Sequence, residues 1–205
     1  MSYTVKEVKV KDKVVKIVQD NCIDSPREWD NLGRMIFTGG YTHLGDSHNV
    51  NFDNHFFESR QDFIDKGEQI VRKHFGDVVI CYPVHLYEHS GTSISISNSY
   101  PYNCRWDSGT IGFAIVTKED IRKNFGIKRV TKEYIEQADR ILKGEVEVLN
   151  QYVMGEVYGF IVEDEEGNHI DSCYGFYGDN FEENGMMDYL DEELVAELTE
   201  EGITI

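Results

Sequence analysis

Val157-Tyr158-Gly159-Phe160-Ile161-Val162, the polar run Asp164-Glu165-Glu166-Gly167-Asn168, and then His169 to Phe176 read as strand, turn and strand. Apolar and β-branched residues on both sides of a glycine-containing acidic turn specify a hairpin. Residues 3 to 19 repeat the pattern, with Val5, Val8 and Val10 before Lys11-Asp12-Lys13 and Val14, Val15, Ile17 and Val18 after it, predicting a hairpin or one kinked strand. Thr92 to Ser97, alternating Ile94 and Ile96 with serines, is predicted to pair back on Val78 to Glu88. Pro83 inside that longer strand argues for an edge position or a bulge, because proline cannot donate to a ladder. Gly109 to Val116 is almost wholly apolar and reads as a central strand.

Helices are spaced between these strands. Ser25, Pro26 and Glu28 carry the cap, first-turn and capping-box signals of a short helix ending at Gly33. Ser59 with Asp62 opens a helix bearing Phe63, Ile64, Ile70, Val71 and Phe75, and Thr117 with Asp120 caps a short one ending at Gly126. Thr131 precedes a longer helix whose face is Ile135, Ala138, Ile141, Leu142, Val146, Leu149 and Val153. A last acidic helix carries Met187, Leu190, Leu194 and Leu198 on one face, and residues 39 to 58 read as a long loop. Hairpins outnumber strand-helix-strand units, so the predicted fold is α+β, with a mostly antiparallel sheet and about four helices.

The 205 residues hold 20 Lys and Arg against 38 Asp and Glu, for a formal net charge of −18. Every Lys and Arg lies at or before Lys143, while 20 acids fall in residues 1–143 and 18 in 144–205. The chain therefore reads as a single domain, 1–205, in which residues 1–143 are neutral and residues 144–205 form an acidic segment. With 12 Tyr and 11 Phe in the chain, the acidic segment is expected to fold rather than stay disordered. Its field repels phosphate backbones and anionic membranes, which excludes duplex-DNA binding through it and favours a basic protein surface. The exposed-carboxylate candidates for such a partner are Asp188, Asp191, Glu192, Glu193 and Glu197. No apolar N-terminal stretch resembles a signal peptide, and no run nears the roughly 20 apolar residues that span a bilayer. The expected location is the cytosol. Cys22, Cys81, Cys104 and Cys173 form no C-x-x-C pair and are expected to be reduced, small apolar residues.

Four segments concentrate polar chemistry. Arg27, Glu28, Trp29, Asp30 and Asn31 crowd a guanidinium, carboxylates and an indole into one short helix, although an Arg27–Asp30 pair at i+3 would explain them structurally. Asn103-Cys104-Arg105-Trp106-Asp107-Ser108-Gly109 feeds the central strand; Trp106 can stack on a planar ligand and Asp107 can accept from an amine or hydroxyl, or simply close an Asx turn. Histidines form the third group: His43, His48 and His55 lie near Asp46 and Asp53 in the long loop, and His85 and His89 lie at a strand end. The fourth is Asp171-Ser172-Cys173-Tyr174-Gly175-Phe176, where glycines beside aromatics allow close approach of a ring. No G-x-S-x-G, H-E-x-x-H, Walker or dinucleotide-binding motif is present, so no catalytic residues are assigned. Arg27, Trp29, Asp30, His89, Trp106, Asp107, Ser108, Asp171 and Tyr174 are the candidate ligand-binding residues.

Ser25 to Gly33, Tyr41 to Asp46, His89 to Gly91, Trp106 to Gly112 and Asp171 to Gly178 together resemble a family of hypothetical proteins associated with bacteriophages, prophages and mobile elements. The likeness implies a phage context in a bacterial cytoplasm and no particular mechanism. In that context the expected function is non-catalytic: binding and inhibiting a host defence component, by acidic mimicry of nucleic acid or by sequestering a signalling nucleotide. The alternatives are a metal-dependent hydrolase of nucleotides or nucleic acid, drawing on Asp30, Asp46, Asp107 and loop histidines, and a structural protein of the phage particle.

Overall fold

The computed structural model describes residues 3–97, 100–101, 104 and 106–200. Its strands are β1 (Thr4–Val10), β2 (Lys13–Gln19), β3 (Arg34–Phe37), β4 (Val78–Glu88), β5 (Thr92–Ile96), β6 (Ser108–Thr117), β7 (Val157–Asp164) and β8 (His169–Tyr177). Among the described residues there are also four α-helices, α1 (Arg60–Phe75), α2 (Lys118–Phe125), α3 (Lys132–Met154) and α4 (Glu192–Glu200), and three 3-10 turns. Every strand pairing is antiparallel and the fold is α+β, as the hairpin pattern predicts.

The chain divides into two compact units. The end unit joins Met1–Asp24 to Gly155–Ile205, and the middle unit is Ser25–Met154. The charge boundary at residues 143 and 144 falls inside α3, so it does not separate the units.

In the end unit the two predicted hairpins lie side by side, in the order β1-β2-β7-β8. Lys11, the one non-glycine residue at positive φ (49°) among those described, forms with Asp12 the two-residue turn between Val10 and Lys13, so residues 3 to 19 are a hairpin and not a kinked strand. At the second turn the Asp164 carboxylate accepts from the backbone N–H of Glu166 and Asn168 and from the Asn168 amide. Hydrogen bonding by Asn168 holds that carboxyl below its usual range. One sheet face buries Val8, Val10, Val15, Ile17, Phe160, Val162 and Phe176 against Met186, Leu190, Leu194 and Leu198. The predicted last helix is in fact a 3-10 turn, Met186–Tyr189, followed by α4, with Leu190 extended between them.

The middle unit carries the sheet β3-β6-β4-β5 between two helical layers. The predicted central strand, β6, lies between β3 and β4. On one face Val71 of α1 packs with Ile36, Val50, Phe52, Val78, Phe113 and Ile115. On the other, Ala138, Leu142, Val146 and Leu149 of α3 and Ile121 of α2 cover Met35, Phe37, Ile80, Val84, Leu86 and Ile94. Ile141, expected on the buried face of α3, is exposed. Gly67 sits mid-helix in α1, where glycine is weaker than alanine by about 1 kcal/mol, because a Cβ there would come within 2.7 Å of the Phe113 ring. Ser59 caps α1, and Thr117 and Asp120 form the expected reciprocal capping box at α2. Pro83 pairs with Phe113 on one side, and β5 ends opposite Val84, so proline occupies the stretch of β4 that has no second strand partner among the described residues.

Candidate functional site

The Ser25–Gly33 segment is not the helix its signals suggest. Only Pro26–Glu28 form a 3-10 turn, capped by Ser25, and Asn31 donates to the carbonyls of Pro26 and Trp29 to turn the chain towards β3. The i+3 pairing of Arg27 with Asp30 therefore has no helix to support it. Arg27 instead points inward, with 4% of its side chain exposed. Its Nη2 donates to Asp46 Oδ2 (2.7 Å) and the Gly33 carbonyl (2.8 Å), and its Nε donates to Asp46 Oδ1 (3.3 Å). Nη1 lies 3.5 Å from Glu145 Oε2 of α3, an ionic contact without hydrogen-bond geometry. Glu145 in turn accepts from the N–H groups of Leu32 and Gly33, and Asp46 from that of Met35. Burial pushes the Glu145 carboxyl above its ordinary range, against the opposing pull of those N–H groups and Arg27. Arg27 and Asp46 thus form a structural knot joining β3, the loop after it and α3, which corrects the assignment of Arg27 to a ligand site. Trp29 and Asp30 stay at the surface, where Asp30 borders a small polar depression with Asn31, Asp120 and Lys123.

The second segment opens onto a real cleft. Where β4 ends and β6 begins, a cavity of about 350 Å³ is lined by Thr38, Gly39, Gly40, Tyr41, Leu86, Glu88 and residues 106–111. Trp106, 92% exposed, stands at its rim. The β4–β6 register places Tyr87 opposite Ser108, and one residue further the Glu88 N–H donates to the Asp107 carbonyl (2.6 Å). Glu88 and Asp107 are therefore cross-strand neighbours, and both line one cavity. Tyr41 donates its hydroxyl to Glu88 Oε2 (2.8 Å), which raises the phenol's pKa. Asp107 Oδ2 is contacted by His89 Nδ1 (3.2 Å) and by the Cys104 thiol (3.1 Å). Ser108 Oγ bonds the Cys104 carbonyl rather than facing the cleft as a free hydroxyl. Asn103 and Arg105, which belong to the same sequence segment, lie outside the described residues.

Beneath the cleft, His85 is fully buried between Thr110 Oγ1 (3.1 Å) and the Ser97 carbonyl (3.2 Å), edge-on to Tyr100. Arg60 stacks on the other partner of that pair, 3.7 Å from the Tyr100 centroid, and donates to the Ser108 carbonyl. Burial lowers the His85 pKa. His85 is a packed structural residue, unlike His89, which lies at the surface.

The loop histidines do not gather. His43 bonds the Gly40 carbonyl and His48 the Phe37 carbonyl, while Asp46 is taken by Arg27. Among the described residues no three His, Cys, Asp or Glu side chains converge as metal ligands. Asp171 and Tyr174 belong to the end unit, where Asp171 accepts from the Ser172 N–H and the Tyr174 ring lies against Gly159 of β7. Sequence reading missed Tyr41 and Glu88; the Gly39-Gly40 pair beside an aromatic was the available signal for the first.

In the end unit, Lys9, Lys11 and Lys16 of the first hairpin pair with Glu165 (3.0 Å), Glu197 (2.7 Å) and Glu163 (2.5 Å). Glu197, expected to face a partner, is largely covered and neutralised by Lys11. Asp191 accepts from the N–H groups of Glu193 and Leu194 as the cap of α4. Asp188, Glu192 and Glu193 are exposed and have no Lys or Arg partner among the described residues. No helix is long and apolar enough to cross a membrane among the residues described. Protein-family models, curated proteins and solved structures, compared with this chain, give no match.

Proposed function

We propose that the protein is a non-catalytic accessory protein of a phage or mobile element, which inhibits a host defence component by docking carboxylates onto a basic, nucleic-acid-binding surface. The observation that carries this reading is the concentration of charge in one unit: Met1–Asp24 and Gly155–Ile205 hold 20 acidic residues and five lysines. Three of those lysines are engaged in local pairs, and Asp188, Asp191, Glu192 and Glu193 remain exposed at the surface formed by α4 and the turn before it. A field of that sign draws a cationic groove at long range and weakens with salt. Phage origin rests on the likeness of the five quoted segments.

The other inhibitory mode, sequestering a signalling nucleotide, would use Trp106 for the base. Glu88 and Asp107 at the same cleft oppose its phosphates, which is why docking is the preferred reading. A hydrolase built on Asp30, Asp46 and Asp107 would need carboxylates that the fold keeps in separate places, one of them locked to Arg27.

The test immobilises the chain and measures retention of host DNA-binding proteins at low salt, with duplex DNA as competitor. Retention should fall on raising salt from about 50 to 300 mM, because salt screens the attraction between exposed charges. It should also vanish when Asp188, Glu192 and Glu193 are reversed to lysine, leaving the cap Asp191 and the paired Glu197 in place. Retention indifferent to salt and to these reversals would refute the reading, and co-sedimentation with virions would favour a structural protein instead.

A further inference from the structure

The cleft in the middle unit has features that a solvated loop end does not require. Like charges directly opposite on neighbouring strands destabilise a sheet, yet the ladder ends with Glu88 beside Asp107 and draws them together through a backbone bond. Neither carboxylate is paired with a Lys or Arg among the described residues. Their described side-chain partners are a phenol, a thiol and an exposed histidine, all on one oxygen of each: Oε2 of Glu88 and Oδ2 of Asp107. Oε1 and Oδ1 have no partner among the described residues. Next to this pair an indole stands almost wholly in solvent, and the lining includes Gly39 and Gly40, which add no side chains to fill the cavity.

We infer that this cleft binds a guanidinium group, held flat against the Trp106 indole and forked onto the Glu88 and Asp107 carboxylates. A guanidinium is planar, permanently charged and carries donors in a fixed fork, so one group satisfies both the ring and the two acids. Cation attraction to an indole face adds to the two ionic contacts. An ammonium would meet the carboxylates but not the flat face. A phosphate would be repelled, and a neutral planar ring would leave the carboxylate pair uncompensated. The source is either an arginine side chain of a protein or a free guanidino compound. This site is independent of docking through the end unit.

The probe is Nα-acetyl-arginine methylamide, whose only charge is the guanidinium. Binding is read by Trp106 emission in a Trp29→Phe background, since the chain has two tryptophans, and by calorimetry on the unsubstituted chain. Saturable binding is expected, with the citrulline counterpart, equal in shape but uncharged, at least about tenfold weaker. Glu88→Gln and Asp107→Asn should each weaken it several-fold, and Glu192→Lys with Glu193→Lys should leave it unchanged. Placing the same arginine inside a short glycine-flanked peptide separates the sources: tighter binding marks a protein side chain, and weaker binding a free compound. The inference is overturned if the citrulline compound or adenosine monophosphate binds as well as the arginine compound, if neither carboxylate substitution matters, or if calorimetry of the intact chain shows no saturable heat.

Discussion

Replacing Arg27 with leucine should unfold the middle unit far more readily than its place in a short connecting turn suggests. The change removes three hydrogen bonds and one ionic contact at once. Asp46 keeps only the Met35 N–H, Glu145 keeps the N–H groups of Leu32 and Gly33, and the Gly33 carbonyl loses its side-chain donor. Breaking a buried ion pair from one side leaves an uncompensated charge, at a cost of about 3 to 5 kcal/mol. With a urea dependence of about 2 kcal/mol per molar, the midpoint should fall by about 2 M. Both tryptophans, Trp29 and Trp106, lie in the middle unit, so their fluorescence reports this unit alone. The loss should also depend on pH. Glu145 already has a raised pKa in the folded chain, so its contribution is favourable below the unfolded value and is lost as pH rises through the folded one. Arg27 counteracts that rise; without it the folded value climbs further, and the variant's deficit should be larger near pH 7.5 than near pH 5. A deficit below about 1 kcal/mol, or one equal at both pH values, would refute the view of Arg27 as a buried structural ion.

Two further outcomes follow from the same unit. The folded pKa of His85 is depressed by burial, so the stability it contributes is present above the ordinary histidine value near 6.5 and is lost as pH falls through the folded value; urea midpoints should drop with a steeper acid slope in the natural chain than in His85→Gln, and equal slopes would show that His85 does not titrate with unfolding. Gly112→Ala would drive a Cβ into the Ile36 carbonyl oxygen and within 2.8 Å of Phe37 Cα, separating β3 from β6 and costing at least about 3 kcal/mol; a loss under about 1 kcal/mol in the same urea assay would mean that β3 can shift without penalty.

What the sequence disclosed of the fold is what local physics controls. Ser59 and Thr117 announce α1 and α2 because a cap needs only partners within one turn. The β7–β8 and β1–β2 hairpins are legible because their turns, at Gly167 and at Lys11-Asp12, are short. The joining of β2 to β7 is not, since Val15 meets Val162 across more than half of the chain and nothing in either strand names the other. That pairing, with the packing of α4 beside β1, defeats the reading of charge by position along the chain: Lys9, Lys11 and Lys16 meet carboxylates of the acidic segment, so three of its charges are neutralised by residues assigned to the balanced segment. The failed helix at Ser25–Gly33 has a tertiary cause too, because Asp46 and Glu145 attract Arg27 inward more strongly than Asp30 could at a solvated i+3 position.

The candidate cleft was half legible for a related reason. Trp106, Asp107 and Ser108 declare themselves by preceding an apolar strand, since a polar loop fixed to a rigid strand is where binding groups collect. Their counterparts enter by register alone. Glu88 closes what reads as an ordinary strand end, and it becomes a site residue only because antiparallel pairing of β4 with β6 sets it beside Asp107. Tyr41 comes from the turn after β3, which reaches the cleft because β3 pairs with the other edge of β6. Three segments distant in sequence thus supply the indole, the two carboxylates and the phenol, and β6 is the element common to all three. A ligand that reads this combination must engage the ends of both ladders at once. Substitutions that loosen β3 from β6, Gly112→Ala among them, should therefore weaken guanidinium binding at Glu88 and Asp107 even though Gly112 itself does not line the cleft; unchanged binding in a folded Gly112→Ala chain would separate the site from the β3–β6 ladder and leave β4 and β6 alone to assemble it.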